Sequence, residues 1–279
     1  MPAVQYTVWP DDLHGHRFTV KLVIENPDPA GQIIAMPAWI PGSYLIRDFS
    51  KQIETITAFT SVKKTELRKL IPLERLDNDR WRLPKNIGSC EIITTVYAFD
   101  QSVRTAYLDQ NRGFFNPTSL CLGVQGQAHL PCSLAIAPPA DQALRQWGVQ
   151  CTLTPVKTDS NGFGFYLAKN YDDLIDHPIA LGHFDVIEWE VFGTNHTMVI
   201  QGLSSEQSEL LDTKRLADDL RNICAETIRL FEPHKPKAPF SRYLFIVNAA
   251  LEGYGGLEHR SSTVLLCKRD QLPYLDHDP

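Results

Sequence analysis

Two glycines, a carboxylate and an imidazole stand together in 253-GYGGLEHRSS-262, between the apolar runs 242-RYLFIVNAA-250 and 262-STVLLC-267. Glycine admits close backbone approach and dihedrals closed to other residues. If the chain leaving Gly255 and Gly256 forms a sheet edge, its free N–H and C=O groups can pair with an extended peptide. Glu258 can then hold the ammonium at the end of that peptide. The alternative is a glycine-rich hairpin with Glu258 and His259 at a solvated tip. The stretch is not a phosphate loop, because it has neither G-K-[ST] nor a following amphipathic helix.

Other groups carry weaker signals. In 39-WIPGSYLIRDFS-50, Trp39, Tyr44, Ile46 and Phe49 read mainly as core. Arg47 and Asp48 lie among them as an ion pair or backbone anchor, or as part of a loop that shapes a cleft with Tyr44. Tyr107 and Asp109 are candidates to lie near a substrate or against a further part of the protein, and a tyrosine hydroxyl is chemically able to donate to a developing oxyanion. Phe114 and Phe115 read as packing residues, and Asn116-Pro117 as a turn. Ser43, Ser119 and Ser261 have no G-x-S-x-G elbow around them, although triads assemble in space rather than in sequence. His177 and His183, near Pro178 and Gly182, read as interfacial or solvated.

The elements that must position these groups are mostly strands at first. The run 16-HRFTVKLVIEN-26 alternates, with Phe18, Val20 and Leu22 on one side, and ends in a turn rich in Asn, Pro, Asp and Gly. Strands are also expected at 32-QIIAMPAW-39 (interrupted by Pro37), 51-KQIETITAFT-60, 90-CEIITTVYAFD-100 and 131-PCSLAIAPP-139. The segment 171-YDDLIDHPIALG-182 reads as a connector with little regular pattern. Beyond it, 183–193 and 195–202 read as strands joined by a tight Gly-Thr-Asn turn. Residues 212–231 form the one strong helix, capped by Asp212. Leu216, Leu220, Ile223, Cys224 and Leu230 or Phe231 form its apolar stripe, and Pro233 and Pro236 end it. The expected architecture is an all-β domain over 1–171, followed over 172–279 by the start of an α+β domain with one helix against a sheet.

With 279 residues the chain can bury a sizeable core. A formal net charge of -6 supplies no positive field for nucleic acid. No apolar stretch is long enough to span a membrane. The N-terminus lacks the basic and apolar regions of a signal peptide. Six scattered cysteines without a C-x-x-C pair read as reduced thiols of a cytoplasmic protein.

Three long segments carry a resemblance: 37-PAWIPGSYLIRDFSKQI-53, 103-VRTAYLDQNRGFFNPTSLCL-122 and 252-EGYGGLEHRSSTVLL-266. Through them the chain resembles the N-terminal half of the glycyl aminopeptidase family, bacterial zinc metallopeptidases that usually end in a PDZ domain. The resemblance implies an all-β N-terminal domain packed on a thermolysin-like catalytic domain. It implies removal of small N-terminal residues such as Gly or Ala from peptides with a free N-terminus. It gives Glu258 the amine-binding role and Gly255 and Gly256 a backbone role along the peptide, and leaves His259 in the motif without a fixed role. The zinc chemistry requires H-E-x-x-H on a helix, yet none of the nine histidines precedes a glutamate. The chain is therefore expected to be a truncated part of such an enzyme, without catalytic residues, metal ligands or cofactor of its own. Zn²⁺, the C-terminal catalytic half and the PDZ domain are expected in the full-length parent. Two other classes stay open: a non-catalytic peptide-binding module using the same edge, and a purely structural or interaction β domain. Self-association into a homo-oligomer is one way to stabilise a half domain of this kind.

Overall fold

The computed structural model describes residues 2–60, 68–141, 144 and 146–275. From Val4 to Ala168 its regular structure is strands and short 3-10 turns. Strand Arg17–Ile24 buries Phe18, Val20, Leu22 and Ile24, as its alternation requires. It lies in an eight-stranded sheet ordered Thr154–Thr158, Gly164–Ala168, Cys132–Ile136, Val4–Asp12, Arg17–Ile24, Cys90–Tyr97, Ile53–Thr60, Leu70–Ile71. All neighbours are antiparallel except Val4–Asp12 and Cys132–Ile136, which run parallel. The strand expected around Ile33 ends at Ala35, before Pro37, and joins a separate small sheet with Gly123–Val124, Arg80–Arg82 and Glu74–Arg75. A further four-stranded sheet joins Gly148–Gln150, Ile179–Gly182, Arg112–Phe115 and Ala106–Leu108.

The connector 171–182 is more regular than expected. It holds a short helix, Tyr171–Ile175, capped by the Asn170 side chain, and the strand Ile179–Gly182. All four residues of that strand are buried, so they show no apolar–polar alternation. Past it a five-stranded mixed sheet is ordered Asp185–Val191, Thr194–Gln201, Arg242–Ala250, Ser262–Lys268, Gly255–Glu258. Its first turn is formed by Phe192 and Gly193, both at positive φ (48° and 77°), and not by Gly-Thr-Asn. A helix absent from the sequence reading, Ser205–Leu210, opens with a capping box of Ser204 and Gln207. The long helix, Thr213–Phe231, starts where expected, with the Asp212 side chain accepting from the Arg215 N–H.

This last sheet is a wall shared by two cores. Val199, Leu244, Ile246, Leu257 and Val264 join the core of the first three sheets. Ile200, Val247 and Ala249 pack on the other side with Leu216, Leu220, Cys224 and Ile228 of the long helix. Successive residues of a strand point to opposite faces, so the central strands are apolar on both sides.

Candidate functional site

Gly255–Glu258 is a strand in its own right. It is antiparallel to Ser262–Lys268, which is parallel to Arg242–Ala250. The two apolar runs are therefore not arms of one hairpin; the hairpin turns at Arg260 and Ser261. His259 N–H donates to the Ser262 carbonyl at 2.8 Å. Hydrogen-bonded and non-bonded pairs alternate in an antiparallel ladder, so the pairs Leu257–Val264 and Gly255–Leu266 face inward. The backbone N–H and C=O groups of Gly256 and Glu258 consequently point to the open edge.

The fold itself does not demand either glycine. A Cβ on Gly255 would meet only Val103, at 3.7 Å, and one on Gly256 would lie 3.5 Å from Leu265 and 3.7 Å from Glu258 Oε1. These are ordinary contacts, and neither residue has positive φ. Missing side chains at such positions leave room for another backbone. The same geometry brings the exposed Glu258 carboxylate back over Gly256.

His259 is not at a solvated tip. Its side chain is only 2% exposed, and Nδ1 lies 3.3 Å from Asp176 Oδ1. Its Nε2 is buried without a partner. Asp176, just after the short helix, also accepts from the Arg260 N–H at 3.3 Å. Burial alone would raise the Asp176 pKa, but the hydrogen bond and charge of His259, with the Arg260 amide and guanidinium, hold it below the usual range. Tyr243 nearby is pushed up to about 12, by burial first and then by the charges of Glu258, Cys224 and Asp176.

The loop Pro41–Asp48 comes to the edge strand from the first sheets. Gly42, at φ 86°, is so close that a Cβ there would lie 2.8 Å from Leu257 Cδ1. Tyr44 is 98% exposed, and Trp39, Leu45 and Ile46 are exposed too; Phe49 alone of the expected core residues is buried. The loop is braced from within. Trp39 Nε1 donates to the Ser43 carbonyl at 2.7 Å, and Arg47 Nε donates to Ser43 Oγ at 2.9 Å. Arg47 thus anchors the loop through Ser43, and Asp48 takes a left-handed conformation at φ 49°.

Tyr107 and Asp109 belong to a different cluster at the join of the sheets. Tyr107 donates to Asp109 Oδ2 at 2.9 Å, and the Arg112 guanidinium lies 4.6 Å over the Tyr107 ring. Buried Arg112 donates to Asn248 Oδ1 at 3.0 Å, and Gln201 Nε2 donates to the same oxygen. Burial pulls the Arg112 pKa down, against the charges of Tyr107 and Asp109. Beside Val103, Arg104 reaches the edge strand from this region, and its Nη2 donates to the Gly256 carbonyl at 3.2 Å. Arg104 carried no signal in the sequence, and Asp176, expected with His177 and Pro178 where two domains meet, could not be tied to His259, because their partners lie 152 and 83 positions away.

Beside the edge, a cavity of about 620 Å³ opens between the long helix and the sheet, lined by His196, Ile223, Phe231, Phe240, Tyr243 and His259 among others. Among the described residues no three His, Cys, Asp or Glu side chains are grouped to hold a metal ion. No helix there is long and apolar enough to cross a membrane.

Residues 5–183 match the Peptidase M61 N-terminal domain. None of the curated proteins matches the chain. Among solved structures, an aminopeptidase N family protein from Idiomarina loihiensis is 40% identical, with a TM-score of 0.88 over 99% of this chain and 44% of its own. Yeast LTA4 hydrolase, native and in complex with bestatin, is similar at a TM-score of 0.50 with 10% and 9% identity, a likeness of fold alone. The yeast matches cover 94% of this chain and 40% and 39% of theirs. The chain thus spans less than half the length of the solved relatives it matches.

Proposed function

The chain belongs to the Peptidase M61 N-terminal domain family, and on that premise we propose that it is the part of a zinc-dependent aminopeptidase that grips the N-terminus of a peptide. The observation that carries this reading is the open edge at Gly256 and Glu258, with an exposed carboxylate over a glycine backbone. An extended peptide adds to such an edge through main-chain hydrogen bonds. Glu258 binds its ammonium, Gly255 and Gly256 let its backbone approach, and His259, held by Asp176, fixes the turn behind Glu258. Tyr44 and Arg47 belong to the loop that borders the first substrate residue. The close approach of that loop at Gly42 supports a preference for small residues such as Gly or Ala. Tyr107 and Asp109 act at a distance, through the join of the sheets.

Metal and base belong, in this reading, to a thermolysin-like C-terminal half of the full-length protein, with a PDZ domain beyond it. This part alone is then a binding element without hydrolytic activity. The free state of all six cysteines supports a reducing, cytoplasmic setting. The exposed Ile223, Leu230 and Phe231 on the long helix support packing against further protein.

The test is Glu258→Gln in the full-length protein. A charge-assisted hydrogen bond contributes about 1.5–3 kcal/mol, so kcat/KM for a Gly- or Ala-peptide with a free amine should fall by roughly 10- to 150-fold, with zinc content unchanged. Parallel loss of zinc and activity would argue against amine anchoring. A full-length protein that binds the peptide and never cleaves it would favour the non-catalytic peptide-binding module instead.

A further inference from the structure

The edge strand Gly255–Glu258 is not open along its whole length. Its ladder alternates, so Gly256 and Glu258 turn their N–H and C=O groups outward. An added peptide would donate to those carbonyls and accept from those N–H groups. At Gly256 the place of the donor is already taken, because Arg104 Nη2 donates to this carbonyl at 3.2 Å. Among the described residues the guanidinium makes no other hydrogen bond and no ion pair, and its Nε is buried without a partner. The turn that carries it is fixed. Fully buried Asn116 donates from Nδ2 to the Val103 carbonyl at 2.9 Å, and its backbone N–H donates to the Thr105 carbonyl at 3.1 Å. Val103, itself buried, would lie 3.7 Å from a Cβ on Gly255, so the same turn also walls the neighbouring residue of the strand.

The chemistry of the edge changes at this point. A bare edge offers donors and acceptors in turn, but beside Gly256 the acceptor is consumed and a guanidinium takes its place. Arginine has five donors and no acceptor, so it does not replace the lost carbonyl. The outward N–H of Gly256 and both outward groups of Glu258 keep their roles. Charged side chains are a general means of keeping a sheet edge from pairing with further strands; here the charge is set into the ladder itself.

We propose that Arg104 is a specificity-determining stop, which limits how far a peptide pairs along the edge. This rests on amine anchoring by Glu258 and adds which part of the substrate is read. The terminal residue is gripped at Glu258 and the Gly256 N–H. The amide N–H that arrives at Gly256 finds no acceptor, and the peptide leaves the edge there. The substrates are therefore peptides recognised by their first residue, with little dependence on the backbone beyond it.

The experiment measures kcat/KM of the full-length protein for Ala-Ala-Ala-Ala and for two depsipeptides, in which the third or the fourth residue is lactate. An ester oxygen then stands where one N–H was. Each amide-to-ester ratio is taken within one protein, so a general loss of activity cancels. In the wild type both ratios should stay below about threefold. Arg104→Met frees the Gly256 carbonyl and should favour the amide over one of the esters by roughly 3- to 10-fold, the worth of one hydrogen bond. Arg104→Lys, which keeps an N–H donor, should behave as the wild type. Thermal melts report whether both variants fold, and the wild-type ratios stand without them. A wild-type ratio of roughly threefold or more overturns the stop, because an N–H beyond the terminal residue is then read. Unchanged ratios in a folded Arg104→Met also overturn it, because Arg104 then only braces the fold. Both outcomes leave amine anchoring in place. Cleavage of the N-acetylated tetrapeptide as fast as the free one overturns amine anchoring and the stop with it, as does no cleavage of any peptide.

Discussion

Adjacent residues of a strand point to opposite faces, so the exposure of Glu258 and the burial of His259 follow from one another. The exposed member can meet a ligand; the buried one is held by Asp176. The pair Gly255–Gly256 and the acid behind it were legible in the sequence because all the signal lies within four residues. The support was not, since Asp176 and Arg104 reach the motif only through the fold. Asp176 keeps its charge to a pH below the ordinary aspartate value, so its contribution to stability is present above about pH 4 and lost as pH falls through the lower folded value. His177 behaves differently. Burial lowers its pKa against the charges of Asp173 and Asp176, and its Nδ1 lies 2.6 Å from Thr152 Oγ1. His196 is also lowered, by burial. Between the unfolded value near 6.5 and these lower folded values, the unfolded chain binds protons that the folded chain does not. Stability should therefore already fall as pH drops below about 6.5, as measured by urea midpoints. His177→Gln should flatten part of that slope; an unchanged slope would show that His177 is not one of its sources.

At the level of elements, the long helix was readable from its cap and period, but its apolar stripe divides in two. Leu216, Leu220, Cys224 and Ile228 follow one another at intervals of four and meet the sheet, while Ile223 and Phe231 lie on the neighbouring row beside the cavity. Period alone cannot say which apolar row finds a partner, because that depends on where the sheet lies. The same limit hid the strand Ile179–Gly182, which is buried throughout and so has no alternation to display. The exposed row gives a direct test. The 279-residue chain should enhance the fluorescence of an apolar dye such as ANS, and Ile223→Ser with Phe231→Ser should cut the signal severalfold. Far-UV circular dichroism should stay the same, since neither residue is buried in the helix–sheet core. Dye binding unaffected by the pair would locate the apolar surface elsewhere.

Across the whole molecule, the two cores share one sheet, and one buried polar contact through that join runs from Arg112 to Asn248, which also accepts from Gln201. A buried guanidinium left without its acceptor is costly, so Asn248→Leu should destabilise the chain by about 2–3 kcal/mol. Because Val199, Leu244 and Ile246 belong to one core while Ile200 and Val247 belong to the other, both regions should unfold in a single transition at lower denaturant. Two separated transitions in the wild type would contradict the shared wall. Composition announced a globular protein, and alternation with turn residues the strand-rich first part, but a wall used on both faces leaves no periodic mark in sequence. Finally, the pairing of Val4 with Cys132 and Val8 with Ile136 imposes a delay at the ribosome. At roughly 5–20 residues per second, the first strand is made on the order of ten seconds before its parallel neighbour exists. Until then Val4–Asp12 lacks the neighbour that covers this side in the finished sheet, and an uncovered edge of this kind is open to pairing with other chains.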